Sequence, residues 1–499
     1  FVARNLVKEC RQQPDQFSAL AQSLRPASAV LLEPLAMGLG APQSVDTQLS
    51  TALLAHYVDN DPTMRTRFAI ETAPWQWELL IPANAPLDRA VLAEVARRKI
   101  DSRLSAPERI AEGRRQALAA ALLIVQPDVG DDDALWNLLR RHETPEARTA
   151  LIHLLSQRGV PWTRIAARLR RESDPGIVSS LLMALGEYPT PPADQRAGIE
   201  TLARELFNRD PDAGVHSAAE WLLLRWGDPH RSSASLALTL PVAGPQELKM
   251  GPRKPRMWMR ATEGHTLVQL HMKLASETPH SFLIATKEVT VEQYMNFNSE
   301  KYINREYSQT GDCPVNAVTW PEALAYCNWL SKEEGIPESE WCYPIDIATN
   351  PEWIPSPEHI RRRGYRLPLR IEWEFACRAG TISDRYLGDD ITLLRYYARF
   401  EETGVTINPT DGREIIRANP VGRLKPNDFG LFDTYGNVGE WCSETGEHQK
   451  AERQFCGSGV GQRGIAMKST ESGSYPPKIV FNSLGFRVVR TLSPEEETR

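Results

Sequence analysis

The sequence predicts a two-part protein, with an α-helical first half followed by an α+β second half, and three observations support this prediction. The chain has 499 residues, more than a single ordinary domain. Apolar residues recur at helical spacing between about positions 44 and 227. Beyond the segment 232–255, short β-type runs and two helices alternate with loops rich in Gly, Asn, Asp and Pro. The predicted parts are a helical scaffold (1–231), a linker (232–255), an α+β domain (256–492) and a tail (493–499).

Helix start and stop signals divide the first half into short amphipathic helices. Asp174 and Pro175 begin one of them, because aspartate caps a helix and proline is tolerated in its first turn, and Gly186 ends it. Its apolar stripe consists of Ile177, Val178, Leu181, Leu182 and Leu185. Similar segments run over 150–159 and 210–227, so a stack of HEAT-like hairpins is predicted, although the period is irregular. The expected role is a scaffold or partner-binding surface, in which His153 and His216 are packed core residues.

Two helices are well signalled in the second half. Thr319 and Glu322 form a capping box at the start of the first, which ends at Gly335. The second runs from about Arg370 to Ala379, before Gly380. Its expected apolar positions are Ile371, Trp373, Phe375 and Ala376. Strand-like runs at 266–268 and 281–285 complete the predicted α+β domain.

Composition excludes several classes of function. The net charge of −6 and the pI near 6.0 give no electrostatic basis for binding nucleic acid. No run approaches the roughly eighteen apolar residues of a membrane span. The seven cysteines are scattered and odd in number, which favours a reducing, cytoplasmic compartment, although the pattern is also compatible with one disulfide bridge. Because the chain begins at Phe1, we expect a fragment or processed product that a membrane segment could precede.

Five characteristic sequence blocks occur in order in the second half. The blocks are FLIATKEVTVEQYMNF (282–297), CPVNAVTWPEALAYCNWLSKEEGIP (313–337), GYRLPLRIEWEFACRAG (364–380), LKPNDFGLFDTYGNVGEW (424–441) and NSLGFRVVR (482–490). Together they resemble the formylglycine-generating enzyme, or sulfatase-modifying factor, family. The resemblance implies a C-type-lectin-like core with little regular structure and a surface cleft. The helical half is similar to regions that precede such domains in large bacterial proteins, some of which carry a kinase upstream.

The resemblance also implies what an active enzyme of the family needs. The generating enzyme oxidises a sulfatase cysteine with copper and two cysteines of its own, which lie five residues apart before the final Gly-Phe-Arg block. Counting back from Gly485 places these positions near Gly464 and Ser469, and no cysteine follows Cys456. Without thiolates there is no soft ligand set for Cu(I), so copper is not expected. Cys456 is a weak catalytic candidate, and the favoured interpretation is that it replaces a structural arginine that relatives carry at this position.

Cation sites are a further implication of the resemblance. A calcium ion would be held by the carboxylates of Asp433 and Glu440 and by the carbonyls of Gly436 and Val438, since calcium prefers oxygen ligands. A second family site matches Arg399, Phe400 and Asp411. An arginine at position 399 puts a cation where a cation ligand is expected, so this site is expected to be lost or filled by the guanidinium.

One position in the predicted turn departs from the family pattern. Relatives commonly carry a tryptophan that lines the substrate cleft where this chain has Gly439, so a wider groove is expected. The remaining aromatic residues are expected to form the core. They are Trp320, Trp329, Trp373, Trp441 and Tyr365. Glu372 and Glu374 lie two residues apart and do not share a helical face, so structural pairing is favoured over acid–base chemistry.

These observations leave two classes of function. The first is a non-oxidase module that binds a protein or small-molecule ligand in its cleft, on a helical scaffold with a possible partner of its own. It is compatible with the sensor end of a bacterial signalling protein. The alternative is a formylglycine-generating oxidase, or a related oxidoreductase, that converts a substrate cysteine to formylglycine.

Overall fold

The computed structural model describes residues 1–82, 85–126, 129, 132–227, 256–273, 279–350, 353–354, 356, 358–407, 412–446 and 451–492. The predicted linker (232–255) and tail (493–499) therefore lie outside the described residues. The last helix before the linker ends at Trp226, and the first strand after it begins at Trp258. No helix within the described ranges is long and apolar enough to cross a membrane.

The first half is α-helical, as predicted. Its helices are α1 (Val2–Gln12), α2 (Phe17–Ser23), α3 (Ser28–Ala36), α4 (Val45–Tyr57), α5 (Pro62–Ala69), α6 (Trp77–Leu80), α7 (Arg89–Ala96), α8 (Ala106–Ile124), α9 (Asp133–Trp136), α10 (Glu146–Gln157), α11 (Trp162–Leu169), α12 (Pro175–Leu185), α13 (Ala193–Arg209) and α14 (Ala213–Trp226). Helices α1–α3 precede position 44, where the predicted pattern began. The HEAT-like arrangement of these helices stays a prediction.

Local signals explain where the central helices begin. Asp174 caps α12 by accepting hydrogen bonds from the backbone N–H groups of Gly176 and Ile177 at 3.0 and 3.1 Å. Asp212, rather than Asp210, caps α14 through the N–H of Val215 at 2.9 Å. Each cap satisfies donors that the first turn leaves unpaired.

The second half contains four helices and eleven strands among its described residues. The helices are α15 (Val291–Phe297), α16 (Trp320–Glu333), α17 (Arg370–Arg378) and α18 (Glu401–Gly404). The strands are β1 (Trp258–Arg260), β2 (Thr266–Lys273), β3 (Pro279–Ala285), β4 (Tyr365–Arg366), β5 (Val405–Ile407), β6 (Glu414–Ile416), β7 (Gly439–Thr445), β8 (Arg453–Cys456), β9 (Ser472–Tyr475), β10 (Leu484–Gly485) and β11 (Val489–Thr491). The predicted α+β character is confirmed, and the lectin-like comparison stays an implication of the resemblance.

Three sheets organise these strands. The largest has the order β1-β2-β3-β11-β4 and is antiparallel throughout. The second has the order β10-β7-β8-β9, in which only the short β10–β7 pair is parallel, and β5 and β6 form a small antiparallel ribbon. The last block of the sequence thus supplies β10 and β11, one to each large sheet, and ties the two sheets together.

Both signalled helices of this half form where predicted. At the start of α16, the Glu322 carboxylate accepts hydrogen bonds from the backbone N–H and the hydroxyl of Thr319 at 2.8 and 2.7 Å. Helix α17 ends at Arg378, and Ala379 adopts a left-handed conformation. The prediction that Ile371 faces the core is wrong, because this side chain is 51% exposed. It lies in the first turn of α17, on the opposite side of the helix from the buried Trp373.

The two halves pack against each other through buried charged groups. The guanidinium of Arg148 on α10 lies 2.6 Å from both carboxylate oxygens of Asp428. Lys425 forms an ion pair with Glu187 and is 2% exposed. Phe432, from the second half, also belongs to the apolar core of the helices. Apolar and ionic contacts therefore join the helical region and the α+β region directly.

The core histidines of the helices lie at this junction. His216 stacks between Phe207 and Trp258, and its Nδ1 lies 2.6 Å from the carbonyl oxygen of Phe207. Burial lowers the pKa of His216 to about 3, so the ring is neutral. His153 is also buried and contacts the hydroxyl of Tyr397 at 3.2 Å. The prediction of packed core histidines is confirmed for both.

Candidate functional site

The turn over residues 433–441 brings the predicted site residues to the junction of the sheets. Asp433, Gly436 and Asn437 all have positive φ angles, of 55°, 80° and 60°. A Cβ atom on Gly436 would lie 1.7 Å from the carbonyl oxygen of Arg399, so only glycine fits there. The backbone of this turn is thus fixed by close approach to the chain at position 399.

Glu440 forms a buried ion pair with an arginine that the sequence analysis did not single out. The Nε and Nη2 groups of Arg487 donate hydrogen bonds to the two carboxylate oxygens of Glu440, both at 2.6 Å. The indole N–H of Trp373 donates a third at 2.7 Å. Arg487 and Glu440 are 0% and 1% exposed. The arginine of the Gly-Phe-Arg block was the available signal, since a buried arginine requires an acidic partner.

Two further buried carboxylates surround this ion pair. Glu288 accepts hydrogen bonds from the side-chain amide of Asn437 at 2.6 Å and the backbone N–H of Val438 at 3.1 Å. Burial, with the nearby charges of Asp433 and Glu440, raises the pKa of Glu288 well above its usual range. Burial also raises the pKa of Asp433. Its Oδ2 accepts a bond from the N–H of Gly422, whereas its Oδ1 is buried without a hydrogen-bond partner.

These residues do not fit the calcium ion that the resemblance implies. Both oxygens of Glu440 accept hydrogen bonds from Arg487, so the carboxylate is already neutralised by a cation. Asp433 offers one unpaired oxygen, and within the described ranges no group of three or more His, Cys, Asp or Glu side chains is arranged to hold a metal. Calcium needs six to eight oxygen ligands. Calcium held by Asp433, Gly436, Val438 and Glu440, as the resemblance implies, would require Arg487 to release Glu440.

We therefore expect the melting temperature of the chain to be insensitive to chelation. Arg487 already compensates Glu440, so removal of calcium by EDTA leaves no newly uncompensated charge at this carboxylate. Differential scanning fluorimetry with EDTA, and then with excess calcium, measures the effect. A melt that EDTA lowers and calcium restores, as mass action requires for a bound ion, would contradict this expectation.

The second family cation position contains an arginine side chain bonded to backbone oxygens. The Nε of Arg399 donates to the carbonyl oxygen of Arg417 at 3.1 Å, and its Nη1 donates to that of Thr403. Carbonyl oxygens here accept from a guanidinium, in line with the interpretation that arginine replaces the ion. Asp411 lies outside the described residues.

The three positions considered for catalysis are all buried. Gly464 begins a 3₁₀ turn, and a Cβ atom there would lie 2.7 Å from the ring of Phe400. The hydroxyl of Ser469 lies 2.7 Å from the hydroxyl of Tyr435 and 3.0 Å from the carbonyl oxygen of Asp384. Cys456 is 1% exposed, so its thiol does not reach the surface of the protein.

Cys456 has an unexpected neighbour. Its Sγ atom lies 3.2 Å from that of Cys442 on the adjacent strand β7. All seven cysteines are buried free thiols, and burial raises the pKa of Cys442 well above its usual range. This contact was not predictable from the sequence, because the two residues are separated by fourteen positions and spacing alone does not show strand register.

Gly439 does not open a groove, contrary to expectation. It is buried, and a Cβ atom there would lie 3.2 Å from the ring of Phe455 and 3.4 Å from Leu484. Phe455 therefore occupies the space beside position 439. Its ring stacks on Tyr475 with centroids 5.0 Å apart, and Tyr475 contacts Phe481 at 4.8 Å. These three residues form an aromatic ladder that runs outward to Phe481, which is 40% exposed.

The carboxylates of α17 are structural. Glu372 is fully buried and bonds Arg366 through both oxygens at 2.6 and 2.7 Å, with His280 at 2.5 Å. Burial alone would raise its pKa, but Arg366 and His280 hold the pKa of Glu372 at about 2. Glu374 pairs with Arg378 one turn away at 2.9 Å. The preference for structural pairing over acid–base chemistry is supported for both.

The buried carboxyl group of Glu444, at the end of β7, is expected to make the free energy of unfolding depend on pH. Burial raises its pKa from the usual 4.5 to about 7, and its Oε2 has no hydrogen-bond partner. The folded state therefore holds this proton more tightly than the unfolded state, so the contribution is full below pH 4.5 and is lost as pH rises through 7. We expect Glu444→Gln to match the native chain at pH 4 and to be more stable by about 3 kcal/mol at pH 8. Urea unfolding at both pH values measures this, and equal differences would contradict it.

Comparison with known proteins places this region in a family. Residues 259–492 match the model described as the sulfatase-modifying factor enzyme 1-like domain. The "Chaperone protein LppX" of Paenibacillus barcinonensis is 30% identical over 234 residues, which cover 43% of this chain and 81% of that protein. The formylglycine-generating enzyme of Streptomyces coelicolor is 35% identical over 108 residues, 20% of this chain and 33% of the enzyme.

A solved structure is also similar to part of the chain. The Treponema denticola variable protein 1 is 23% identical, with a TM-score of 0.33, over 46% of this chain and 95% of that protein. This chain spans only about a third of the Streptomyces enzyme that it matches. It covers most of the Paenibacillus protein, at 30% identity, and carries the family domain over 259–492. The chain belongs to the sulfatase-modifying factor family.

Proposed function

We propose that this chain is a non-oxidase member of the family, a protein-binding module fused to a helical scaffold. One observation carries the proposal, namely that no thiol is available for the oxidase reaction. All seven cysteines are buried, and no cysteine follows Cys456. The oxidase chemistry expected from the family needs two thiolates that reach the substrate and copper.

The local packing supports this interpretation. A cysteine at position 464 would collide with the ring of Phe400, and Ser469 is locked by hydrogen bonds to Tyr435 and Asp384. Both neighbourhoods are filled by side chains that stabilise the fold. Positions 464 and 469 are therefore occupied by buried packing and are not available for a reaction with substrate.

A protein is the favoured ligand class. The aromatic ladder ends at Phe481, which is 40% exposed beside the 52% exposed Val480, and it borders the edge strand β9. Exposed aromatic and aliphatic side chains beside an unpaired strand edge suit an extended polypeptide. The Paenibacillus protein, which this chain covers over 81% of its length, is named a chaperone, which agrees with a polypeptide ligand. The helical half would hold the module in place, because the two regions share an apolar core.

The oxidase alternative is tested directly. The full chain, loaded with Cu(I), is incubated with a Cys-x-Pro-x-Arg peptide in the presence of oxygen and a thiol reductant. We expect no aldehyde by mass spectrometry of the hydrazone-trapped peptide. Aldehyde formation that exceeds a copper-only control would overturn the proposal and establish the formylglycine-generating activity.

The binding role makes a separate prediction. We expect a fluorescein-labelled, extended apolar peptide to bind the full chain, and Tyr475→Ser with Phe481→Ser to weaken binding at least tenfold, because aromatic anchors dominate such interfaces. Fluorescence anisotropy gives the dissociation constants. Ile371→Ser is the matched control, since Ile371 is 51% exposed on α17 and lies outside the ladder. Equal loss in the control, or no binding by the native chain, would contradict the role of the ladder.

A further inference from the structure

Two buried thiols face each other across the strands that carry the 433–441 turn into the second sheet. The Sγ atoms of Cys442 and Cys456 are 3.2 Å apart, and the residues are 0% and 1% exposed. In the register of β7 and β8, Glu440 opposes Cys456. Alternate residues of a strand share a face, so Cys442, two residues beyond Glu440, lies on the same face as Cys456.

We infer that Cys442 and Cys456 form a disulfide when the chain folds in an oxidising environment. A disulfide bond is about 2.0 Å long, so the two sulfurs need to approach by only about 1.2 Å. The register of β7 against β8 shifts between Trp441 and Thr445. A bulge beside Cys442 gives its backbone the freedom to make this adjustment.

The reaction balances as a thiol–disulfide exchange with a small-molecule disulfide. One cysteine thiolate attacks the small disulfide and expels one thiolate, which leaves a mixed disulfide on the chain. The second cysteine then attacks the sulfur of the first and expels the other small thiolate. The two cysteines are oxidised, the small disulfide is reduced to two thiols, and the two cysteine protons pass to the departing thiolates.

Burial determines when this exchange can occur. In the closed fold, an oxidant has no access to either sulfur, and burial raises the pKa of the Cys442 thiol. The exchange therefore takes place before β7 and β8 close over the pair. The finished bond is shielded from reductants by the same packing. This inference departs from the reducing compartment that the scattered cysteines suggested, because it gives two of the seven a defined partner.

The test refolds the full chain from urea in oxidised or in reduced glutathione. After alkylation under denaturing conditions, we expect two fewer free thiols in the oxidised sample and a tryptic species that joins Cys442 to Cys456. We also expect a melting temperature at least about 5 °C higher than in the reduced sample, since the bond closes a loop of about fifteen residues.

Substitutions assign the effect to this pair. Cys442→Ser and Cys456→Ser should each abolish the redox difference in melting temperature, whereas Cys313→Ser, at another buried thiol, should retain it. If a variant does not fold, the inference is judged on the native chain alone, by the presence or absence of the tryptic species that joins Cys442 to Cys456. A natively folded chain with all thiols free after oxidative refolding, or a bridge between other cysteines, would overturn the inference.

Discussion

Replacing Arg487 with methionine is expected to remove about 3–5 kcal/mol from the free energy of unfolding, the range for breaking a buried ion pair. The substitution leaves Glu440 buried without its cation. It also removes the donors that Arg487 supplies to the carbonyl oxygens of Ala285, Thr286 and Phe432 at 3.1 to 3.3 Å. These bonds join β3 and the 433–441 turn, so the loss extends to the packing of both large sheets.

Urea unfolding followed by circular dichroism measures this loss. The matched control is Arg363→Met, because Arg363 pairs with Glu340 at 3.7 Å and is 46% exposed. An exposed pair of this kind contributes about 1 kcal/mol or less. Equal effects of the two substitutions would show that the buried pair is not a main support of the fold. Glu440→Gln provides a second measurement on the same pair, since it removes the charge and retains most of the shape.

Replacing Asp428 with alanine is the second large effect, and it acts on the contact between the two halves. The carboxylate compensates Arg148 at 2.6 Å and lies 3.7 Å from Arg141. Arg148 is 7% exposed, so the substitution leaves a buried guanidinium without its acid. We expect a loss of about 3–5 kcal/mol. We also expect faster hydrogen exchange in α10, because this pair is one of the contacts that join the helix to the α+β region.

Hydrogen exchange with mass spectrometry distinguishes this result from general destabilisation. Asp384→Ala is the control, because Asp384 is 51% exposed and its carboxylate pairs with Lys468 at 3.0 Å. Protection of α10 that is unchanged in Asp428→Ala would show that the Arg148–Asp428 pair does not hold this helix against the α+β region. Uniform loss of protection along the chain would instead indicate one cooperative unit.

Local elements were predictable from the sequence because their signals are local. Asp174 caps α12, and Thr319 with Glu322 begins α16, since each cap depends on residues within three positions. The ordered blocks also identified the family. Long-range partners were not predictable in this way. Arg487 and Glu440 are separated by 47 positions, and Arg148 and Asp428 by 280.

In the candidate site, too, local features were predictable from the sequence and long-range partners were not. The sequence singled out the turn over 433–441, but it does not show that Arg487 pairs with Glu440, because the two residues are far apart along the chain. Gly439 was expected to widen a groove, whereas Phe455 fills the space from a neighbouring strand. Both differences arise from side chains brought in by sheet pairing, which spacing along one segment cannot reveal.

The shared core has a practical consequence for anyone who divides this chain. A fragment cut at the apparent boundary near position 256 would expose Phe432, the Asp428 carboxylate and the Lys425 ammonium, which lies 4.8 Å from the ring of Trp221 in the intact protein. Such a cut face combines an apolar residue with unpaired charges of both signs. Expression of the family domain alone is therefore a poor choice for crystallisation or binding assays.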